Sequence, residues 1–185
     1  MPCPRPVAAL AALHAAMIVI CALPAHADEA QDVERLLRAG RTSEALTHVE
    51  RSLLARPADA QLRFLKGVLL ADARRTAEAT EVLVKLTEDH PDLAEPYNNL
   101  AVIYAGDGRY DKARAALEAA VRANPGYATA HENLGDVYAR LAAASYQRAL
   151  QLDASGRGAA AKLALARGLF AAMPAAPALA GSAVR

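Results

Sequence analysis

Of five histidines, His14 lies in the N-terminal apolar run, and His26, His48, His90 and His131 are the first residues that could ligate a metal or move a proton. His131 is followed by Glu132 and Asp136, a residue set that can hold a divalent cation. On a helix, however, Glu132 points away from His131, and no second histidine stands at i+4 to complete a ligand pair. His90 precedes Pro91 and reads as a helix-end residue. Cys3 and Cys21 lie at the extreme N-terminus, and no nucleophile elbow, phosphate-cradling glycine loop or zinc spacing occurs. No catalytic residue, metal or cofactor is therefore expected. Asn99 and Asn133 carry a different chemistry. An amide both donates and accepts hydrogen bonds, so it can hold a peptide backbone whatever the side chains are.

The elements that position these amides repeat at a fixed interval. Asn99 and Asn133 are 34 residues apart, and so are Pro57, Pro91 and Pro125 in turn. Proline cannot continue a helix, so each marks the end of one unit and the start of the next. A 34-residue period is that of a helix–turn–helix repeat. Between Ala94 and Tyr127 the pattern is clearest: Tyr97, Leu100, Ala101, Tyr104, Gly108, Ala113, Leu117, Ala120, Pro125. This resembles the tetratricopeptide repeat, whose pattern asks for a bulky residue at position 4, Leu at 7, a small residue at 8 and Tyr at 11. It then asks for Ala at 20, a large apolar residue at 24, Ala at 27 and Pro at 32. The resemblance implies an all-α solenoid of repeats 26–59, 60–93, 94–127 and a shortened 128–153.

Repeat by repeat, the fit varies. In the first, Val33, Leu36 and Leu37 face inward from helix A, and Ala45, Val49 and Leu53 form a stripe on helix B. In the second, Arg63 and Lys66 misfit positions 4 and 7, while Leu62, Phe64, Leu65, Val68 and Leu69 surround the helix with apolar bulk. That helix is either buried on several sides or lines an apolar groove. Gly67 and Gly135 occupy position 8, where helices A and B touch. His131 takes the bulky slot 4 and is expected to pack. Positions 2, 5, 6, 9, 12 and 13 of helix A face the concave side of such a solenoid. The resemblance thus implies a partner-binding face of Phe64, Leu65, Val68, Glu95, Asn98, Asn99, Val102, Thr129, Glu132, Asn133, Asp136 and Arg140. The basic set with which some family members clamp a C-terminal carboxylate is absent.

The fourth unit breaks the pattern. From Tyr138 to Leu152 there is no Gly, Pro, Asn or Asp to ease a chain reversal. Helix A is expected to run on into helix B from Ala128 to about Asp153, and to reverse at Ser155-Gly156-Arg157-Gly158. A capping helix within 156–172 would then cover the stripe Leu134, Tyr138, Leu141, Ser145, Ala149 and Leu152, unless a partner or second copy does. The tail 173–185 has little to bury and is expected to be disordered.

Composition bounds the rest. The chain has 185 residues, 54% apolar but only 4% aromatic, which suits thin helices packed through alanine. Its formal net charge is +1 with no basic tract, so nucleic-acid binding has no electrostatic footprint. Arg5, the apolar run Val7–Leu23 and Ala25-His26-Ala27 read as a secretory signal with cleavage after Ala27. A periplasmic protein without cysteine follows; the alternative is a membrane anchor formed by the uncleaved segment. The expected function is a non-enzymatic scaffold that holds a protein or peptide in its groove. Two alternatives stay open: a non-catalytic subunit of a cell-envelope enzyme or assembly complex, and a self-associating structural protein.

Overall fold

The computed structural model describes residues 25–171, and the described residues are all helix and turn. Most of the expected leader and the tail lie outside them. The helices are α1 (Ala25–Arg38), α2 (Thr42–Ala55), α3 (Ala60–Asp72), α4 (Thr76–Asp89), α5 (Ala94–Gly106), α6 (Tyr110–Ala123), α7 (Ala128–Leu152) and α8 (Arg157–Ala171). The prolines act as expected. The residues before them, Arg56, His90 and Asn124, have φ of −134°, −135° and −140°, because the proline ring expels its predecessor from the helical region. Asp59 then accepts the Leu62 N–H at 3.1 Å and starts α3.

The turns within repeats are equally regular. Gly40, Arg74 and Gly108 have φ of 69°, 61° and 73°. Each closes its helix A in the left-handed conformation, and the residue after it donates back to a carbonyl five positions earlier. Arg41 donates to Leu36, Arg75 to Leu70 and Arg109 to Tyr104, each at 2.8 Å. The same arginine then anchors helix B. Arg41 pairs with Glu44 (Nε to Oε1, 2.6 Å) and Arg75 with Glu78 (2.7 Å), while Arg109 lies 4.7 Å from the Tyr104 ring. One period further on, both places are alanine, Ala142 and Ala143. Alanine is the strongest helix former, and α7 passes straight through as one 25-residue helix.

Helices A and B of each hairpin pack through small residues. Gly67 lies against Leu83, and the whole interface buries Leu69, Leu70, Ala79, Leu83 and Leu86. Phe64, Leu65 and Val68 join this core and keep only 5%, 6% and 5% of their surface. They are corrected from a groove to the buried contact with the first repeat. The two misfits of α3 are held by charge: Arg63 meets Asp89 at 2.8 Å and Lys66 meets Glu50 at 3.1 Å. Their stems cover apolar surface while their charges are paired at the edge. A second core joins Ala101, Ala113, Leu117, Ala120, Ala130 and Val137.

Two expectations about the fourth unit fail for one reason. Since no helix B folds back on α7, nothing lies within 4 Å of where a Gly135 side chain would begin, and His131 is exposed. The ring instead meets the Pro125 carbonyl at 3.0 Å. The capping helix also chooses a different face of α7. Lys162 of α8 sits 5.8 Å from the Tyr146 ring and Arg167 reaches Gln147, and Ala139, Ala143, Tyr146 and Leu150 on that face are half-buried. Of the expected stripe, Tyr138, Ser145, Ala149 and Leu152 stay exposed, while Leu134 and Leu141 are half-buried against the second core.

Candidate partner-binding face

The packing of helices settles which side is inner. Among the described residues α3 touches α5 and α5 touches α7, whereas α2, α4 and α6 touch only the A helices that flank them. Helices α3, α5 and α7 therefore form one continuous layer, and α2, α4 and α6 lie apart behind it.

On this layer the asparagines do not stand open. Asn98 and Asn99 are fully buried and Asn133 retains 7% exposure. Asn133 Nδ2 donates to Asn98 Oδ1 at 2.8 Å, and Asn98 Nδ2 to Asn99 Oδ1 at 3.4 Å. A buried amide must find a partner, and here it finds one on the neighbouring helix. The expected ladder of accessible amides is corrected to a polar lock between α5 and α7.

The accessible part of the face is acidic. Glu95 and Val102 are half-buried on α5, Thr129, Glu132 and Arg140 are exposed on α7, and Asp136 is half-buried between them. Burial raises the Asp136 pKa above the ordinary carboxylate value, and the nearby Glu132 charge adds to this while Arg140 opposes it. Arg140 itself lies 5.8 Å from the Tyr110 ring. Tyr127 also belongs to this face, although the repeat pattern places it only as the last residue of a unit. Burial, and then the charge of Glu95, pushes its phenol pKa up, and its buried Oη has no hydrogen-bond partner among the described residues. Gln61, in the register of Glu95, likewise has a buried Nε2 without an acceptor there. An aromatic next to Ala128 and a glutamine at position 2 are the only signals of either in the sequence.

Among the described residues no group of three or more His, Cys, Asp or Glu could hold a metal ion. No described helix is long and apolar enough to cross a membrane.

Paired helices at a 34-residue step, with α3, α5 and α7 in one layer, define a helical-repeat solenoid. The chain belongs to the tetratricopeptide repeat family: the family pattern matches residues 32–94 and 98–141, more than half of its length. It is 37% identical over 82 residues to the chloroplastic tetratricopeptide repeat domain-containing protein PYG7 of Arabidopsis thaliana. That match takes in 42% of this chain and 27% of PYG7, so the chain spans about a quarter of that relative. The thermophilic TPR protein TTC0263 of Thermus thermophilus superposes with a TM-score of 0.58 at 26% identity, covering 78% of this chain and 82% of the other. PilF of Pseudomonas aeruginosa superposes with a TM-score of 0.58 at 20% identity, covering 78% and 68%, a likeness of fold alone.

Proposed function

We propose that this protein is a non-enzymatic scaffold which docks a basic segment of another protein along α5 and α7. The observation that carries this is the neighbouring pair Glu132 and Asp136 on α7, with Glu95 on α5 in the same layer of helices. Asp136 is held above its ordinary pKa by burial and by Glu132, so an incoming lysine or arginine would relieve a repulsion already present. The family to which the chain belongs supports protein binding as the general role. Export to the periplasm is part of the same reading and rests on Arg5, the run Val7–Leu23 and Ala25-His26-Ala27. The mature N-terminus would then be Asp28, and N-terminal sequencing of the purified protein tests it.

Partner capture tests the face. A photo-crosslinking residue placed at Glu132 in the native cell should trap a partner, and Glu132→Lys with Asp136→Lys should abolish the capture without changing helical content. Crosslinks arising instead from Arg51, exposed on a B helix, would refute the assignment of the face.

A further inference from the structure

The turn between helices A and B carries the same arginine in three repeats but not the same partner. Three residues after Arg41 and Arg75 stand Glu44 and Glu78, and each arginine holds its glutamate at two points. Three residues after Arg109 stands Lys112. The exchange breaks two local rules at once. Like charges on neighbouring positions of a helix repel, and a cation in the first turn of α6 faces the positive end of the helix dipole. What takes the place of the glutamate is an aromatic surface. The Arg109 guanidinium lies 4.7 Å and the Lys112 ammonium 5.9 Å from the centre of the Tyr104 ring. In the second repeat Leu70 holds that position and is fully buried, whereas Tyr104 is half-buried and packs against both cores. Beside Arg109 in the chain, Tyr110 carries Arg140 of α7 at 5.8 Å. Arg109 and Lys112 are exposed, and among the described residues neither is ion-paired.

We infer that Tyr104, Arg109 and Lys112 form a carboxylate site, which takes an aspartate or glutamate side chain from an acidic segment of a partner protein. The charge to be matched is set by the repeat itself. At the two earlier turns the anion comes from within, as Glu44 and Glu78. At the third it is missing, and two cations share one ring in its absence. A local rule broken without internal compensation is expected where function requires it. The ring also prepares the arginine for its ligand. A guanidinium held over an aromatic face keeps N–H edges free for the two oxygens of a carboxylate. The surroundings select the source of the anion. Asp107 and Asp111 flank Arg109 in the chain, and Asp111 lies 3.7 Å from Arg114. A nucleic acid or an anionic bilayer presents closely spaced negative charge and would meet those carboxylates as well. A single side-chain carboxylate does not. The site lies at an A–B turn and owes nothing to Glu132 and Asp136, so it goes beyond the function proposed above.

Carbodiimide coupling of the full chain to an acetylated, amidated hexaglutamate peptide at low salt tests it. The reagent joins a bound carboxylate to a lysine amine, and the lysines of the chain are Lys66, Lys85, Lys112 and Lys162. Lys66 and Lys85 are ion-paired, and Lys162, exposed over the Tyr146 ring, is the control for a cation on a tyrosine. Peptide mapping should find Lys112 coupled at least about tenfold more than Lys162, and Arg109→Gln should remove that preference. Fluorescence anisotropy of the labelled peptide should show Lys112→Glu weakening binding by at least about tenfold. The same substitution restores the arginine–glutamate pair of the earlier turns, so Tm should not fall. Equal coupling of Lys112 and Lys162 overturns the inference, as does peptide binding that is absent up to about 1 mM or unchanged in Lys112→Glu. Coupling of Lys112 to a second copy in preference to the peptide overturns it by assigning the site to self-association. Flotation with phosphatidylglycerol vesicles that Lys112→Glu abolishes overturns it by assigning the cations to a membrane.

Discussion

Replacing Gly67 and Gly135 by leucine, one at a time, separates two environments that occupy the same place in the repeat. A Cβ built at Gly67 would stand 2.7 Å from Leu83 Cδ2 and 2.8 Å from its Cγ. Carbon atoms prefer about 3.5–4.0 Å, so Leu83 as a whole must retreat by about 1 Å. It is fully buried among Leu69, Leu70 and Leu86 and has nowhere to go. Overpacking of this kind costs about 1–3 kcal/mol, and a full leucine side chain belongs at the upper end of that range. The gain from replacing a helical glycine, about 0.8–1 kcal/mol, offsets part of it. A net loss near 2 kcal/mol lowers Tm by about 4–8 °C in a domain of this size. At Gly135 nothing stands within 4 Å, so only the propensity gain applies and stability should rise by about 0.5–1 kcal/mol. Thermal melts followed by circular dichroism on dilute protein decide it. If Gly67→Leu melted at or above Gly135→Leu, the close A–B contact described here would be wrong.

Asn98→Ala should lower stability by about 1–2 kcal/mol, because Asn133 loses its buried acceptor; equilibrium urea unfolding measures this, and little further loss is expected in the Asn98→Ala, Asn133→Ala double variant. Arg74→Gly should raise Tm, since an L-residue in the left-handed region costs about 1–2 kcal/mol and glycine adopts it without strain. Asp136 binds its proton more tightly folded than unfolded, so its contribution to stability falls as pH rises from the ordinary aspartate value through the raised one. Asp136→Asn should therefore raise Tm slightly at neutral pH, with the difference vanishing below the ordinary aspartate pKa; a pH series of melts checks the sign.

Much of this fold is legible without the structure because it is written in local terms. Proline at 57, 91 and 125 stops helices whatever surrounds them, and the lack of any turn-forming residue after Tyr138 forces a continuous α7. The left-handed turn at 40, 74 and 108 is harder to see, since Arg74 hides it between two glycines. The arginine that follows each turn keeps the same step, but a pattern built on apolar slots passes over it. What stays illegible is what one helix does to another. The slot of His131 predicts a core residue, but that slot needs a helix B that α7 does not return. Asn98 and Asn133 look like surface amides in the sequence. They are buried because α5 and α7 approach side by side, a contact across 35 residues that no local pattern encodes. The choice of face by α8 depends in the same way on the azimuth at which the chain leaves Asp153, where Asp153 Oδ1 accepts the Ser155 N–H at 2.9 Å.

The unbroken α7 also sets how the C-terminal end comes apart. A hairpin repeat detaches as a unit, because its two helices share one core. Here one backbone ladder runs from a half rooted in the second core, with Ala130, Asn133 and Val137 buried, into a half that α8 covers on one side. Amide protons should record that passage as a slope along a single helix, slow to exchange near Val137 and fast near Leu150. The boundary between two folding units then falls inside an element of secondary structure, and the helix frays from one end toward a fixed root.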